Sequence, residues 1–142
     1  MRAYILGALV AVGLVLTAGT VRAHHSFAAE FDANKPIKLK GIVTKVEWTN
    51  PHVWFYVNVK DEKTGEVVNW GAEMGPPHGL QRRGWRRDTL KIGEEVTVEG
   101  SMAKNGSKRM NARTVTLTST GGRPGETLDA VSSGGANSSA DN

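Results

Sequence analysis

The chain contains no cysteine. In an exported protein this excludes a disulfide framework, a thiolate metal site, a cysteine nucleophile and a lipoprotein anchor together. Charge of one sign is also scarce. The formal net charge of +4 includes Arg2 and Arg22, which lie in a leader without acidic residues. Without them 16 of the 18 basic side chains face 14 acidic ones, a balance of +2. A protein built to grip phosphate backbone is usually far more basic, so nucleic acid is not expected as the partner. No serine sits in a nucleophile motif, and no carboxylate pair is placed to flank a scissile bond. The ligand spacing of a zinc site is missing too. These absences point away from an enzyme. With 142 residues and no internal repeat, the chain has room for one ordinary domain.

The long apolar run is at the amino terminus. Met1-Arg2 gives a short positive start, Ile5 to Val21 carries no charge, and Val21-Arg22-Ala23 offers the small or apolar residues that a signal peptidase reads. This is the pattern of a secretory signal. The alternative, an uncleaved anchor, is disfavoured by the shortness of the run and by Gly7, Gly13, Gly19, Thr17 and Thr20 within it. A cleavable signal peptide over 1–23 predicts a periplasmic or secreted protein without a membrane anchor after cleavage.

A cut after Ala23 would leave His24-His25-Ser26-Phe27 as the mature start. An amino-terminal histidine offers its α-amine and its imidazole to one ion. With a third nitrogen this arrangement suits Cu(II). Moving the cut by one residue destroys it. No cofactor is otherwise implied.

From Lys35 to Leu117 the sequence alternates as strands. Ile37 to Trp48 is a long strand in which Ile37, Leu39 and Val43 share one parity while Ile42, Val46 and Trp48 share the other. That predicts a bulge or bend next to Gly41. Thr49-Asn50-Pro51 is a turn. Val53, Phe55, Val57 and Val59 then form an aliphatic face, with Trp54, Tyr56, Asn58 and Lys60 opposite. Glu66 to Met74 returns as a hairpin partner. His78 to Arg87 holds a helical turn or two at most, since Gly84 argues against a long helix. Glu95 to Met102 and Ala112 to Thr118 complete the set. The prediction is an all-β fold: a small five-stranded, OB-like Greek-key barrel over 24–118, with a short helix or loop between strands 3 and 4. Residues 119–142, rich in Gly, Ser and Asn, read as a disordered tail.

The segments HHSFAAEFD, EWTNPHVWFYV and NWGAEM, with GLQRRGW and LKIGEEVTVEGSMAKNGSKRMNARTVTL after them, make the chain resemble a family of small exported bacterial proteins of unknown function. The resemblance runs from about His24 to Leu117. It implies a periplasmic or secreted location and an OB-like barrel, and it carries no catalytic residue.

Two groups of side chains are candidates for binding. Trp54 and Tyr56 lie where an OB barrel presents its ligand surface, and aromatics there stack on bases or sugar rings. The preferred reading is that the amino-terminal segment, with Phe27 and Phe31, folds back to cover them. The cluster Arg82, Arg83, Arg86 and Arg87 surrounds Trp85 and could hold an anionic group. The preferred reading is a solvated connection whose Trp85 plugs one end of the barrel. His24, His25 and His52 are the candidate metal ligands, with His78 a weaker one. The expected function is an exported, non-enzymatic binding protein for an unidentified small ligand or envelope protein, monomeric or weakly self-associating. The alternative is a periplasmic copper-binding protein that uses His24 and His52.

Overall fold

The computed structural model describes residues 27–118 and 125–132. Residues 1–26, which include the segment read as a signal peptide and His24 and His25, and the segments 119–124 and 133–142 lie outside the described residues.

A single turn of helix, α1 (Phe27–Glu30), leads directly into β1 (Phe31–Glu47). The 17-residue β1 is long enough to serve two neighbours. Its first half pairs with β4 (Glu95–Ala103) and its second half with β2 (Trp54–Lys60), both antiparallel. The predicted change of phase is present, three residues later than expected. Val43 pairs with Val57 and Lys45 with Tyr56, so Thr44 is the extra residue of a bulge. Thr44 Oγ1 donates to the Tyr56 carbonyl at 3.3 Å. Before the bulge Val43 points into the core; after it Val46 and Trp48 pack there. Gly41 has a different task from the predicted one. A Cβ at that position would stand 2.6 Å from the Asn58 carbonyl oxygen, so the strands cross there only because no side chain intervenes.

Strand β2 alternates as its sequence predicts, with Phe55 and Val57 fully buried. It pairs in unbroken register with β3 (Val67–Glu73). Pro76-Pro77 then opens α2 (Pro77–Arg82), with proline at the first helical positions, where a missing N–H costs nothing. The helix ends before Gly84, whose φ is +89°. Trp85, 1% exposed, drops into the core beside Leu80. Its indole N–H donates to the Asp129 carbonyl at 2.8 Å, which satisfies the polar end of a buried ring. The burial of Trp85 expected from the sequence is thus observed.

Strand β4 continues by a hairpin into β5 (Arg109–Leu117), which then lies parallel to β3 through Gly71–Arg109, Ala72–Met110 and Glu73–Asn111. That pairing closes the circuit β1-β2-β3-β5-β4-β1, an OB-type barrel with its helix between strands 3 and 4.

The reading of everything after Thr118 as tail needs correction. Residues 127–129 form a sixth strand, β6 (Thr127–Asp129), antiparallel to β5. Leu128 and Ala130 are buried. The Gly75 N–H donates to the Ala130 carbonyl at 2.9 Å. Two small apolar side chains and a few backbone bonds suffice to seat this segment, a signal too short to stand out against its glycine-rich and polar surroundings.

Gly41→Ala should destabilise the barrel by about 1–3 kcal/mol, because the obstructing atom is backbone rather than a movable side chain. The check is a urea midpoint measured against the parent; an unchanged midpoint would mean that the strands do not cross this closely.

Candidate functional site

Closure of the barrel sets two rungs side by side on the outward-facing parity of its strands, with Gly71, Glu73 and Asn111 buried within them. One runs Lys45, Tyr56, Gly71, Arg109; the other runs Glu47, Trp54, Glu73, Asn111. Each rung draws one residue from β1, β2, β3 and β5, and residues directly opposite one another share a face.

Gly71 lies beneath the aromatics. A Cβ on it would meet Tyr56 Cε1 at 3.3 Å and Trp54 Cζ3 at 3.6 Å, so both rings lean over a strand that has no side chain at this point. Cations cover the rings in turn. Lys45 Nζ stands 5.4 Å from the Tyr56 centroid and the Arg109 guanidinium 4.5 Å from that of Trp54. On the opposite parity of β3, Lys108 Nζ lies 5.3 Å from the ring of the buried Trp70. Contacts of this kind contribute about 0.5–1 kcal/mol each at exposed sites. Both Trp54 and Tyr56 are half-buried.

Glu47 ties the β1 side together. It accepts from Lys45 Nζ at 2.5 Å and from the Tyr56 hydroxyl at 3.1 Å. The Lys45 hydrogen bond, then that of Tyr56, holds the Glu47 carboxyl below its ordinary range. The same partner raises the Lys45 ammonium. Burial, followed by the bond to Glu47, pushes the Tyr56 phenol above ordinary tyrosine.

At the rim, His52 follows the cis Asn50–Pro51 bond. Its Nδ1 lies 2.6 Å from Oε1 of Glu73, a carboxylate whose side chain is only 6% exposed. With Glu73 ionised, the carboxylate only accepts, which places a proton on Nδ1 and leaves Nε2 as the lone-pair donor of the neutral ring. Asn111, the partner of Glu73 in register, accepts at Oδ1 from the Ser132 hydroxyl at 2.5 Å.

A family described as "Family of unknown function (DUF6152)" matches residues 11–112. The chain belongs to that family. The match in this DUF6152 member covers the first four strands and ends within β5. The family description names no activity. No curated protein matches the chain.

The residues singled out from the sequence separate into distinct places in this DUF6152 chain. Trp54, Tyr56 and His52 meet on one face and its rim. Arg82, Arg83 and Arg86 are exposed on α2 and the turn after it, and none of the bonds of the aromatic face involves them. Arg83 instead pairs with Asp129 at 3.5 Å. His78 is exposed on α2. Among the described residues no group of three or more His, Cys, Asp or Glu side chains could hold a metal ion; His24 and His25 are outside those residues. Also among them, no helix is long and apolar enough to cross a membrane. Phe27 and Phe31 pack against each other at 5.8 Å. Their segment docks on the β4–β5 hairpin, where the Lys104 N–H donates to the Glu30 carbonyl at 2.9 Å.

Sequence reasoning missed Lys45, Glu47, Gly71, Glu73 and Arg109. The alternation of β3 assigns Gly71 and Glu73 to the outer parity once Trp70 and Ala72 are inside. Arg109 had no such signal, because a parallel neighbour distant in sequence brings it to the face.

Tyr4 and Tyr56 are the chain's 2 tyrosines, so in protein beginning at His24 the ultraviolet phenolate titration would report Tyr56 alone. Its midpoint should lie above ordinary tyrosine and fall toward it in Glu47→Gln. A raised folded pKa gives stability that is intact below the unfolded value of about 10 and is lost as pH rises through the folded value. A midpoint indifferent to Glu47→Gln would remove the Glu47 charge as a cause.

Proposed function

We propose that the protein is exported, starts at His24 when mature, and binds a small ligand on the outer face formed by Trp54, Tyr56 and Gly71, without catalysing a reaction. The ligand or an envelope partner would be met in the periplasm or outside the cell. The observation that carries this reading is the pair of half-buried aromatic rings side by side over a glycine, rimmed by Lys45, Glu47 and Arg109. A shallow aromatic platform with charged edges suits a flat ring or a sugar better than an extended apolar chain. The fold contributes by analogy, since OB barrels use the corresponding sheet face for oligonucleotides and oligosaccharides.

The test is amide NMR of the mature protein titrated with chitohexaose and with a soluble muropeptide mixture. Saturable shifts should gather at Tyr56, Gly71 and Arg109 and weaken by about tenfold or more in Trp54→Ala, since losing one stacked ring costs about 1–3 kcal/mol. Shifts that gather elsewhere, or that ignore Trp54→Ala, would count against the face.

A second reading is Cu(II) binding through the α-amine and imidazole of His24 with His52 as the third nitrogen donor. It is favoured by the bond from His52 to buried Glu73. Metal-ligating histidines commonly donate their other ring N–H to a carboxylate, which fixes the tautomer and directs the ligating nitrogen outward. Tight one-to-one Cu(II) binding with nitrogen hyperfine structure is expected for the mature protein, with loss on adding one amino-terminal alanine and in His52→Ala. Equal, weak binding with and without the added alanine would dispose of the copper site.

A further inference from the structure

Beside the aromatic face, α1 and the β4–β5 hairpin border a half-open cavity of about 240 Å³. It is lined by Glu30, Phe31, Ala103, Lys104, Ser107 and Arg109, among others. Whole small-molecule sites usually run to about 300–1,000 Å³, so this space fits a functional group and not an entire ligand. Its ionisable lining is Lys104 and Arg109 against Glu30, a balance of one positive charge.

The surrounding cations differ from the lysines of β1. Lys38, Lys40 and Lys45 are each neutralised by a glutamate, at 2.7, 3.1 and 2.5 Å. On the hairpin, Lys104 Nζ donates to the Ala28 carbonyl at 2.6 Å, while Arg109 rests against the Trp54 ring. These contacts hold the two cations in place without cancelling their charge. Ser107 adds a hydroxyl that is buried and has no hydrogen-bond partner, so turning it toward a bound group breaks no existing bond.

Arg109 connects the two regions, because it lines the cavity while its guanidinium lies 4.5 Å from the Trp54 centroid. A cation–π contact leaves the guanidinium N–H donors without a hydrogen-bond acceptor from the indole, and these donors match the geometry of a carboxylate or phosphate.

We propose that this cavity is an oxyanion subsite of the aromatic face, taking the carboxylate or phosphate monoester of a ligand whose ring lies on Trp54 and Tyr56. The assignment rests on the ligand-face reading above and specifies the ligand as a ring bearing an anionic group. Arg109 and Lys104 supply charge-assisted hydrogen bonds, Ser107 one neutral bond, and Phe31 with Ala103 the apolar floor.

The experiment is amide NMR titration of the mature protein with benzoate, phenyl phosphate, the neutral isostere benzamide, and inorganic phosphate. Benzoate or phenyl phosphate should bind about tenfold or more tightly than benzamide, as charge-assisted bonds to arginine allow, and should shift Ser107, Arg109 and Trp54 together. Arg109→Gln should abolish that preference. Ser107→Ala, which leaves the contacts of Trp54 intact, should weaken the anionic probes and spare benzamide. The relative strength of the two anionic probes assigns the group as carboxylate or phosphate. Equal affinity for benzamide and both anions would overturn the subsite and leave the aromatic face standing. Anionic probes that shift Ser107 and Arg109 with no response at Trp54 would overturn the composite site through the face and not through the cavity.

Discussion

The parallel pairing of Gly71, Ala72 and Glu73 with Arg109, Met110 and Asn111 turns a curled sheet into a barrel. Parallel neighbours need a long crossover, and here it consists of α2, the Trp85 plug, β4 and the β4–β5 hairpin. Once β5 lies against β3, Arg109 is delivered to Trp54 and Asn111 is placed beside Glu73. The Gly71 N–H donates to the Lys108 carbonyl at 3.0 Å, which brings the basic hairpin close to the aromatic rings. Chemistry on the outer face is therefore a consequence of closure. Neither strand alone carries the aromatics, the cations and the buried carboxylate together.

The opposite end of the crossover depends on one large ring and a short strap. Trp85 is nearly inaccessible and its indole N–H is satisfied by the Asp129 carbonyl. Residues 128–130 in turn place Leu128 and Ala130 in the core, and Asp129 pairs with Arg83 outside it. Plug and strap hold each other: the indole needs the carbonyl, and β6 has only three residues with which to pair. Removing a buried aromatic costs about 3–5 kcal/mol, so the arginines around Trp85 are flanking residues of a structural anchor first.

Two kinds of charge are at work. The pairs between β1 and β4, such as Lys38 with Glu99 and Lys40 with Glu95, are solvent-exposed. Such pairs contribute about 0–1 kcal/mol, so their effect is to neutralise one flank of the barrel. Glu73 is different, being buried with His52 against it. Taking one partner away from a buried carboxylate leaves an uncompensated charge, so the pair fixes the orientation of the His52 ring at the rim. The family match adds membership and no activity, which leaves the chemistry of this face to speak for the function.

Within the described residues, the sequence by itself determined the all-β class, the β2 alternation, the breaks at Pro51 and Pro76-Pro77, and the burial of Trp85. Each follows from a local rule: period-two alternation, the restricted backbone of proline, or the scarcity of places for a large ring. The outward position of Trp54 and Tyr56 was legible for the same reason. Tertiary structure alone decided which residues surround them. Lys45 reaches Tyr56 because Thr44 bulges out of register, and a one-residue shift reverses every side chain beyond it. Arg109 reaches Trp54 through a strand pairing that joins segments nearly forty residues apart, measured from Gly71 to Arg109. Alternation tells which face a residue occupies; only closure of the barrel tells what lies next to it, because that neighbour is set by long-range register and not by local pattern.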